Sequence, residues 1–493
     1  MTDAFSSNSE LVIQRCVDVN SIKTDRSPGS WEELYQISET CHFINANQFK
    51  KVALQFPDEL LVDSIQISAE IEKNSKAKTY ILGDTSYGSC CVDEVAAEHV
   101  GADSIVHYGR TCLSPSKRLP LMYVFGRRPI DLQQCTLAFR ELYPDSQSHV
   151  VILYDVIYSH AIDVLVQLLK QTHPNVVASA LVMDHCQSNG QTQGSPSESD
   201  CNGSEPGEDS KVVQKFGRQF CLEEGVSIGD YCMFFVGQEG ATLTNFIMTW
   251  NRSPFSSFDP ETSTGRAESV NVNKALMKRY YAIERAKDAG VVGILVGTLG
   301  VASYLAIIDR LKESIRRAGK KSYMFAMGKL NVAKLANFME IDIYVLVACP
   351  ENSLLDSSEF YRPVVTPFEM EMACNSSREW TGEYVTDFKD LLQGGCSYVD
   401  LPDADEETVA DMSLITGALR VTGLQSSEEA ESVCQSSSLV PRNQNMTVAS
   451  TNTAAVFLSG RTWQGLEPRL GETPVVKAVE GRKGIAIAYE EEG

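Results

Sequence analysis

Short apolar runs alternate with helical patterns along most of the chain, and no other property of the sequence narrows the possible folds as far. Residues 52–56 form the first run, and apolar side chains then recur at helical spacing from residue 60 to residue 71. Further runs occupy residues 79–82 and 104–108, with a helical pattern at 93–100 between them. Strands that are apolar throughout and are separated by helices are typical of a parallel sheet covered on both faces. The sequence therefore predicts an α/β fold.

The same succession of strands and helices occurs twice more, which indicates an internal repeat. The last copy alternates apolar runs with helical patterns, at residues 291–296, 303–318, 323–326, 332–338 and 343–347. The middle copy has one helical pattern among its apolar runs, at residues 149–154, 160–172, 176–182 and 233–237. We therefore expect three similar α/β units, each with a short parallel sheet.

Two polar segments interrupt this pattern. Residues 187–210 and about 425–454 are rich in Ser, Asn and Gln, and such segments bury too little apolar area to offset the entropy of ordering. Apolar and aromatic residues after the second segment, among them Trp463, predict a docked C-terminal tail. The predicted organisation begins with a flexible N-terminus at residues 1–30. Three α/β domains follow, at residues 31–140, 141–285 and 286–420, and the second carries a disordered insertion at 187–210. A polar linker and the docked tail occupy residues 421–493.

The chain is strongly acidic, with 43 Lys and Arg against 65 Asp and Glu and a formal net charge of −22. This charge repels phosphate backbones and anionic lipid, so we expect no nucleic-acid partner and no membrane association. The sequence lacks an apolar stretch of the roughly 18 to 20 residues that span a bilayer. Its polar start argues against a signal peptide. We therefore expect a cytoplasmic protein whose 14 cysteines stay reduced.

Three cysteines lie in loops near predicted strand ends, where α/β folds collect reactive groups. Cys90 opens a helix, Cys112 follows the run at 104–108, and Cys349 follows the last run of the third copy. Three convergent thiolates can bind zinc or an iron–sulfur cluster. Structural zinc sites prefer a fourth ligand and Cys-x2-Cys pairs, which this sequence lacks. On spacing alone, the simpler interpretation is that these cysteines are small buried apolar side chains, because unpaired cysteines at strand ends commonly are.

Other polar motifs have simpler interpretations. The turn from Gly297 to Gly300 could present amides to a phosphate, as in a nucleotide-binding α/β enzyme, but the sequence has neither a Gly-x-Gly-x-x-Gly nor a Walker pattern. Asp84 and Asp93 are interpreted as turn and helix-cap residues. A helix with one solvated basic face is predicted around three cationic residues, Lys278, Arg279 and Arg285.

Five specific motifs are spread over the chain. They are VALQFPDELL at 52–61, GDTSYGSCCVDE at 83–94, GILVGTLG at 293–300, LVACPE at 346–351 and WQGLEPRLG at 463–471. Together they resemble the diphthamide biosynthesis family, in particular the second subunit of its two-chain enzyme. The resemblance implies three similar Rossmann-like domains, with short parallel sheets, around a central cavity that holds a 4Fe-4S cluster. It also implies radical chemistry, in which a 3-amino-3-carboxypropyl group passes from S-adenosylmethionine to a histidine of elongation factor 2.

The resemblance also implies the ligands of that cluster. Cys90, Cys112 and Cys349 match the cluster-binding cysteines of this second subunit, and whether Cys91 can replace Cys90 stays open. Catalytic members of the family take one cysteine from each of three domains. The middle unit here has other residues at the corresponding turn, namely Asp155, Tyr158 and Ser159. Because Cys112 would replace the missing ligand, we do not expect this chain to bind S-adenosylmethionine productively.

Partners follow from the same resemblance. We expect a heterodimer with the related first subunit, elongation factor 2 as the protein substrate, and a small zinc-binding protein as the electron donor. In this complex the chain would support reduction of the cluster in the catalytic subunit and would carry no catalytic residue itself. The alternative is a scaffold subunit of the same complex that holds no cluster.

Overall fold

The computed structural model describes most of the chain, at residues 28–83, 90–115, 118–182, 211–223, 225–327, 330–355, 360–401, 410–417, 419–421, 484–485 and 488–489. The chain divides into two units, Met1–Leu424 and Gln425–Gly493. Of the second unit, only the antiparallel pair of Gly484–Ile485 with Ala488–Tyr489 is described. The predicted insertion, residues 1–27 of the predicted flexible terminus and nearly all of the predicted linker and tail lie outside the described residues, whereas residues 28–30 belong to a helix.

The first sheet has four parallel strands. They are β1 (Lys51–Gln55), β2 (Lys78–Leu82), β3 (Ser104–Tyr108) and β4 (Leu121–Val124), in the order β2-β1-β3-β4. Four helices belong to this part, α1 (Pro28–Tyr35), α2 (Ile37–Ala46), α3 (Leu61–Ser75) and α4 (Glu94–His99). The predicted strands and helices are confirmed. Strand β4 was not predicted, although its four residues form an apolar run, because no helical pattern separates it from β3.

The middle sheet has five strands and is parallel except at one edge. Its elements begin with α5 (Leu132–Leu142), β5 (Val150–Tyr154), α6 (Ser159–Lys170), β6 (Val176–Ala178), β7 (Ala180–Leu181), β8 (Val212–Lys215) and β9 (Arg218–Cys221). They continue with β10 (Cys232–Val236), α7 (Ala241–Thr249), β11 (Phe255–Asp259) and β12 (Thr264–Ala267). The order is β12-β11-β10-β5-β6, with β12 antiparallel to β11, and β7-β9-β8 form a separate antiparallel sheet.

The third sheet again has four parallel strands. Its elements are α8 (Ser269–Asp288), β13 (Val291–Val296), α9 (Tyr304–Arg317), β14 (Lys321–Ala326), α10 (Val332–Leu335), β15 (Ile343–Val347), α11 (Pro350–Ser353), β16 (Val364–Val365) and α12 (Pro367–Cys374). The order is β14-β13-β15-β16. A short antiparallel pair, β17 (Ala410–Met412) and β18 (Leu419–Val421), follows.

The three main sheets share one strand order. Counted along the chain, the strands lie in the order second, first, third, fourth, and the middle sheet adds the antiparallel β12 at its edge. Every residue of β3, β5 and β15 is buried, as expected for strands that are apolar throughout and lie inside a sheet covered on both faces. The predicted α/β class with short, mostly parallel sheets is therefore confirmed. None of the helices in the described ranges has the length and apolar character that crossing a membrane requires.

Helix α5 packs against the middle sheet, although its residues fall largely in the predicted first domain. Cys135 and Phe139 on α5 are both 0% exposed and share a core with Val150 and Phe234 of β5 and β10. The apolar side of this helix therefore stabilises the middle part of the fold.

Helix α8 carries the predicted basic residues, but its basic side is not wholly solvated. Lys278 is exposed, whereas Arg279 is buried against Glu369 of α12. The prediction of a solvated face is therefore wrong for Arg279. The burial of Arg279 could not be predicted from the pattern of α8, because its partner carboxylate, Glu369, lies far along the sequence.

Candidate metal centre

Loops from the first and third sheets bring three cysteines together. Cys112 lies shortly after β3, Cys349 lies between β15 and α11, and Cys90 lies shortly before α4. The backbone N–H of Cys112 donates to the carbonyl oxygen of Cys90 at 3.2 Å, which joins the two loops of the first sheet. As expected for an α/β fold, the cysteines after β3 and β15 lie at the carboxyl ends of parallel strands.

The three sulfur atoms form a compact buried group. The Sγ atoms of Cys90, Cys112 and Cys349 all lie within 4.8 Å of one another. Their side chains are 5%, 3% and 0% exposed. Within the described ranges, this is the one group of three or more His, Cys, Asp or Glu side chains whose ligand atoms lie so close together. The structure therefore unites all three cysteines that the sequence singled out.

Cys91 is a fourth buried thiol beside this group. Its Sγ atom lies 4.0 Å from that of Cys112, and the residue is 4% exposed. It does not belong to the set of mutually close sulfur atoms. The backbone around it is held by Gln55, which ends β1: the Gln55 side chain donates to the Cys91 carbonyl at 2.8 Å and accepts from the Asp93 N–H at 2.9 Å. The orientation of the adjacent cysteines is thus set by the end of a buried strand.

Asp93 has the helix-cap role that its position predicts. Its carboxylate accepts a hydrogen bond from the Ala96 N–H at 2.9 Å, at the start of α4. Asp84, for which a turn role was predicted, lies outside the described residues. The acidic group next to the cysteines therefore stabilises the start of α4.

Two glycines allow neighbouring loops to lie against the cysteines. A Cβ atom on Gly300, in the turn after β13, would lie 2.4 Å from the carbonyl oxygen of Val92. A Cβ atom on Gly217, between β8 and β9, would lie 2.3 Å from the Cβ of Leu113, and Gly217 also has a φ of +65°. Both contacts are too short for any other residue. Close packing alone therefore explains why residue 300 is a glycine, and a phosphate site is not needed to explain it.

The four thiols differ in acidity. Hydrogen bonds from Cys349, Cys90 and Cys91 hold the pKa of Cys112 well below its usual range, and the Ser114 hydroxyl adds to the effect. The contacts with Cys112 and Cys349, together with burial, raise the pKa of Cys90 and Cys91. Cys112 raises the pKa of Cys349 as well. A thiolate surrounded by thiols in a buried pocket is a strong ligand for a soft metal.

A buried carboxyl group lies next to the sulfur atoms. Glu351 of α11 is 2% exposed, and its Oε2 atom accepts from the Cys90 thiol at 3.6 Å and from Arg110 Nη2 at 3.0 Å. Burial raises the pKa of Glu351, while the charge of Arg110 opposes this shift. Arg110 also donates to the Thr242 hydroxyl of α7 at 3.1 Å. Neither Arg110 nor Glu351 was identified as a site residue from the sequence. The sequence feature that could have indicated them is their position, since Arg110 lies two residues before Cys112 and Glu351 two residues after Cys349.

Arg218 is a second cation near the centre, and it is 1% exposed. Its guanidinium group donates to the carbonyl oxygens of Phe216 at 3.1 Å and Tyr154 at 2.9 Å, and lies 4.8 Å from the ring centroid of Phe246. Burial lowers the pKa of Arg218, and the nearby Glu351 carboxylate opposes that shift. The sequence contains no motif around Arg218 that would have identified it.

The residues at this centre fit a metal–sulfur group. Thiolate sulfur is the ligand that zinc and iron–sulfur clusters prefer, and burial keeps water from the site. A structural zinc ion would need four ligands, so it would have to recruit Cys91 from outside the close group. A cluster that is held by three thiolates needs only Cys90, Cys112 and Cys349. Arg110, whose charge interacts with Cys90 as well as with Glu351, supplies positive charge that would offset part of the negative charge of such a group.

Comparisons with known proteins identify the family of the chain. The family model for diphthamide synthesis proteins matches residues 56–385. The chain is 67% identical to 2-(3-amino-3-carboxypropyl)histidine synthase subunit 2 of Danio rerio over 497 residues, covering 100% of this chain and 98% of that protein. It is 53% identical to the Xenopus laevis protein of the same name, covering 99% of this chain and 98% of that one.

The fold also has a counterpart among solved structures. A crystal structure of Dph2 from Pyrococcus horikoshii with a 4Fe-4S cluster matches with a TM-score of 0.52 and 19% sequence identity, covering 70% of this chain and 93% of that chain. At this identity the likeness concerns the mixed α/β fold alone. The resemblance found in the five motifs is confirmed by the full-length relatives. The chain therefore belongs to the diphthamide synthesis protein family, in the group of 2-(3-amino-3-carboxypropyl)histidine synthase subunit 2 proteins.

Proposed function

We propose that this chain is the iron–sulfur subunit of the heterodimeric enzyme for the first step of diphthamide biosynthesis. The enzyme transfers a 3-amino-3-carboxypropyl group from S-adenosylmethionine to a histidine of elongation factor 2. The observation that carries the proposal is the buried group of three sulfur atoms within 4.8 Å of one another. The relatives are named as a histidine synthase subunit, which supports a two-chain enzyme.

Cys90, Cys112 and Cys349 are the proposed ligands of a 4Fe-4S cluster. The Pyrococcus horikoshii protein of similar fold was crystallised with such a cluster, which supports the assignment. When bound, the cluster would supply one-electron transfer. The chain's own residues would bind it through three thiolates, exclude water through their burial and offset part of its charge with Arg110.

In the proposed division of labour, this chain keeps the cluster of the catalytic subunit reduced. No cysteine is available at the carboxyl end of β5, where Asp155, Tyr158 and Ser159 follow. Cys232 of the middle sheet lies at the opposite end, as the first residue of β10. Because the third ligand is Cys112, the open side of the centre would differ from that of a catalytic subunit. We therefore propose that S-adenosylmethionine is bound by the partner and not by this chain.

The proposed architecture has three Rossmann-like domains around a central cluster cavity, near residues 31–140, 141–285 and 286–420. The common strand order of the three sheets supports this division. Helix α5 would belong to the second domain, since Cys135 and Phe139 pack in the middle core. We further propose a cytoplasmic complex with the related first subunit, elongation factor 2 as substrate and a small zinc-binding protein as electron donor. The net charge of −22 favours basic protein partners over nucleic acid or membrane.

Metal analysis of single variants tests the cluster. The chain is purified anaerobically with a partner subunit whose own cluster-binding cysteines are replaced, so that all bound iron belongs to this chain, and iron and sulfide are measured in Cys90→Ala, Cys112→Ala and Cys349→Ala. Each variant is expected to lose most of its iron and sulfide. Cys396→Ala is the control, because Cys396 is exposed and lies outside the centre. If the wild-type chain contains no iron, it is the cluster-free scaffold of the same complex and the proposal is wrong.

Reconstitution with one cluster at a time tests the division of labour. Heterodimers are prepared in which only one subunit carries intact cysteines, and modified elongation factor 2 is measured. We expect turnover to require the cluster of the partner, and repeated turnover with limiting reductant to require both. Modification sustained by the cluster of this chain alone would contradict the supporting role.

A further inference from the structure

We propose that Arg110 and Glu351 form a positioning pair that holds the sulfur-bearing loops together around the metal–sulfur group. The inference rests on the proposed function, because it concerns the cluster that Cys90, Cys112 and Cys349 would hold. It adds two residues that act through the cysteines and are not ligands themselves.

The pair joins the loops of two sheets. Arg110 precedes Cys112 by two positions, and Glu351 follows Cys349 by two positions. The contact of 3.0 Å between Arg110 Nη2 and Glu351 Oε2 therefore ties the loop after β3 to the loop after β15. The same Oε2 atom accepts from the Cys90 thiol at 3.6 Å. Glu351 Oε2 thus contacts Cys90 directly, while it is linked to Cys349 through its own loop and to Cys112 through Arg110.

Arg110 extends this connection to the middle sheet. Its Nη2 atom donates to the Thr242 hydroxyl at 3.1 Å, and Thr242 is 5% exposed on α7. Loops and helices from all three main sheets therefore meet at one guanidinium group. Hydrogen-bonded groups just outside a metal site orient its ligands, and their loss commonly lowers metal affinity by about 10- to 100-fold.

The two side chains differ in exposure, so their removal should have unequal effects. The Arg110 side chain is 46% exposed, whereas that of Glu351 is 2% exposed. Without Arg110, the carboxylate stays buried beside a sulfur atom and has lost its cation, which is strongly unfavourable. Without the Glu351 charge, Arg110 can turn to water. R110Q should therefore harm the centre more than E351Q, and the double variant should recover part of the loss.

The experiment uses the full chain, purified anaerobically with a partner subunit whose own cluster-binding cysteines are replaced, so that the iron and the reduction potential belong to this chain. Iron and sulfide per chain, the reduction potential of the cluster and thermal unfolding are measured for wild type, R110Q, E351Q and R110Q/E351Q. We expect iron content or affinity to fall about 10-fold in R110Q, less in E351Q, and to an intermediate extent in the double variant. The potential should rise in E351Q, because a negative charge is lost near the cluster, and fall in R110Q. A purely structural role would not shift the potential in opposite directions.

R252Q is the matched control, because Arg252 forms an exposed ion pair with Glu383 at 2.9 Å. This variant should bind as much iron as the wild type. Wild-type iron and potential in R110Q, with iron lost in Cys112→Ala, would overturn the positioning pair alone. Iron missing from the wild-type protein would overturn both this inference and the proposed function. If R110Q does not fold, the potential of the isosteric E351Q decides, and an unchanged potential with full iron counts against the pair.

Discussion

Arg279 and Glu369 form a two-point ion pair in the core of the third sheet region, with Nε–Oε1 at 2.5 Å and Nη2–Oε2 at 2.6 Å. Their side chains are 9% and 0% exposed. Tyr384 donates its hydroxyl to Glu369 Oε1 at 2.9 Å, and the N–H of Thr366 donates to Oε2 at 2.8 Å. The carboxylate therefore has a cation and two further donors, and it connects α8 to α12.

Arg279→Met should destabilise the protein strongly. The substitution keeps much of the side-chain volume but leaves the Glu369 carboxylate buried without its cation, which typically costs about 3–5 kcal/mol. The measurement is the free energy of unfolding in urea. Arg252→Met, in the exposed pair with Glu383, is the control and should cost about 1 kcal/mol or less. Similar losses in the two variants would contradict the importance assigned to burial.

Gly300→Ala should disturb the contact between the first and third sheet regions. The added methyl group would lie 2.4 Å from the backbone oxygen of Val92, and a backbone atom cannot move aside as a flexible side chain can. We expect a loss of about 1–3 kcal/mol in unfolding free energy, as for other overpacked sites. Iron content per folded chain should fall as well. Gly229→Ala is the control, because nothing lies within 4 Å of its Cβ position, and an equal effect there would refute the contact.

Gly217→Ala should cost more than Gly225→Ala. Both glycines have positive φ angles, +65° and +80°, so both substitutions strain the backbone. Only at Gly217 does the new Cβ also meet Leu113, at 2.3 Å, whereas nothing lies within 4 Å at Gly225. The unfolding free energies of the two variants should therefore differ by about 1–3 kcal/mol, and this difference measures the cost of the clash with Leu113 alone. Equal values for the two variants would mean that the hairpin does not pack on the Cys112 loop.

Cys135 should resist alkylation in the folded protein. It is 0% exposed, and burial raises its pKa to about 12. At pH 8 only about one thiol in ten thousand would then be ionised. Mass spectrometry after brief iodoacetamide treatment should find the exposed Cys396 labelled and Cys135 unlabelled. Labelling of both at one rate would show that the core around α5 opens readily.

The raised pKa of Cys135 also predicts a pH dependence of folding. An unfolded cysteine has a pKa of about 8.5, so the unfolded chain loses this proton first. The stabilisation that the buried, protonated Cys135 thiol contributes is therefore fully present below about pH 8.5 and is lost as the pH rises towards 12. Unfolding free energies of wild type and Cys135→Ala, measured between pH 8 and pH 10 with other conditions constant, should converge as the pH rises. Parallel curves would contradict the assignment.

The sequence predicted the parts of the fold that depend on local signals. Strands such as β3 and β15 are continuous apolar runs, and their neighbours in sequence are helices with a clear period. The positions of Cys112 and Cys349 after these strands predicted that each lies at the carboxyl edge of its own sheet, whereas their convergence across two sheets was predicted only from the family resemblance. Strand β16 was missed because its two residues carry too little pattern, and β4 was missed because no helical pattern precedes its four apolar residues.

The surroundings of the cysteines could not be predicted in the same way. Arg110 and Glu351 are separated by more than two hundred positions, and their contact exists only after two sheets have packed together. Arg218 contacts carbonyl oxygens, which every residue possesses, so no sequence pattern indicates its place. The pairing of Arg279 with Glu369 was missed for the same reason. Whether a charged residue is buried depends on the tertiary contacts that it makes, and a single sequence does not show those contacts.

The spacing of the three sulfur atoms along the chain has a consequence for biosynthesis. Cys90 and Cys112 emerge from the ribosome long before Cys349, so a nascent chain that ends before Cys349 can offer only two of the three thiols. Loading of the proposed metal centre would therefore follow translation of Cys349. A truncated translation product would lack the complete donor set even if its first sheet had already folded.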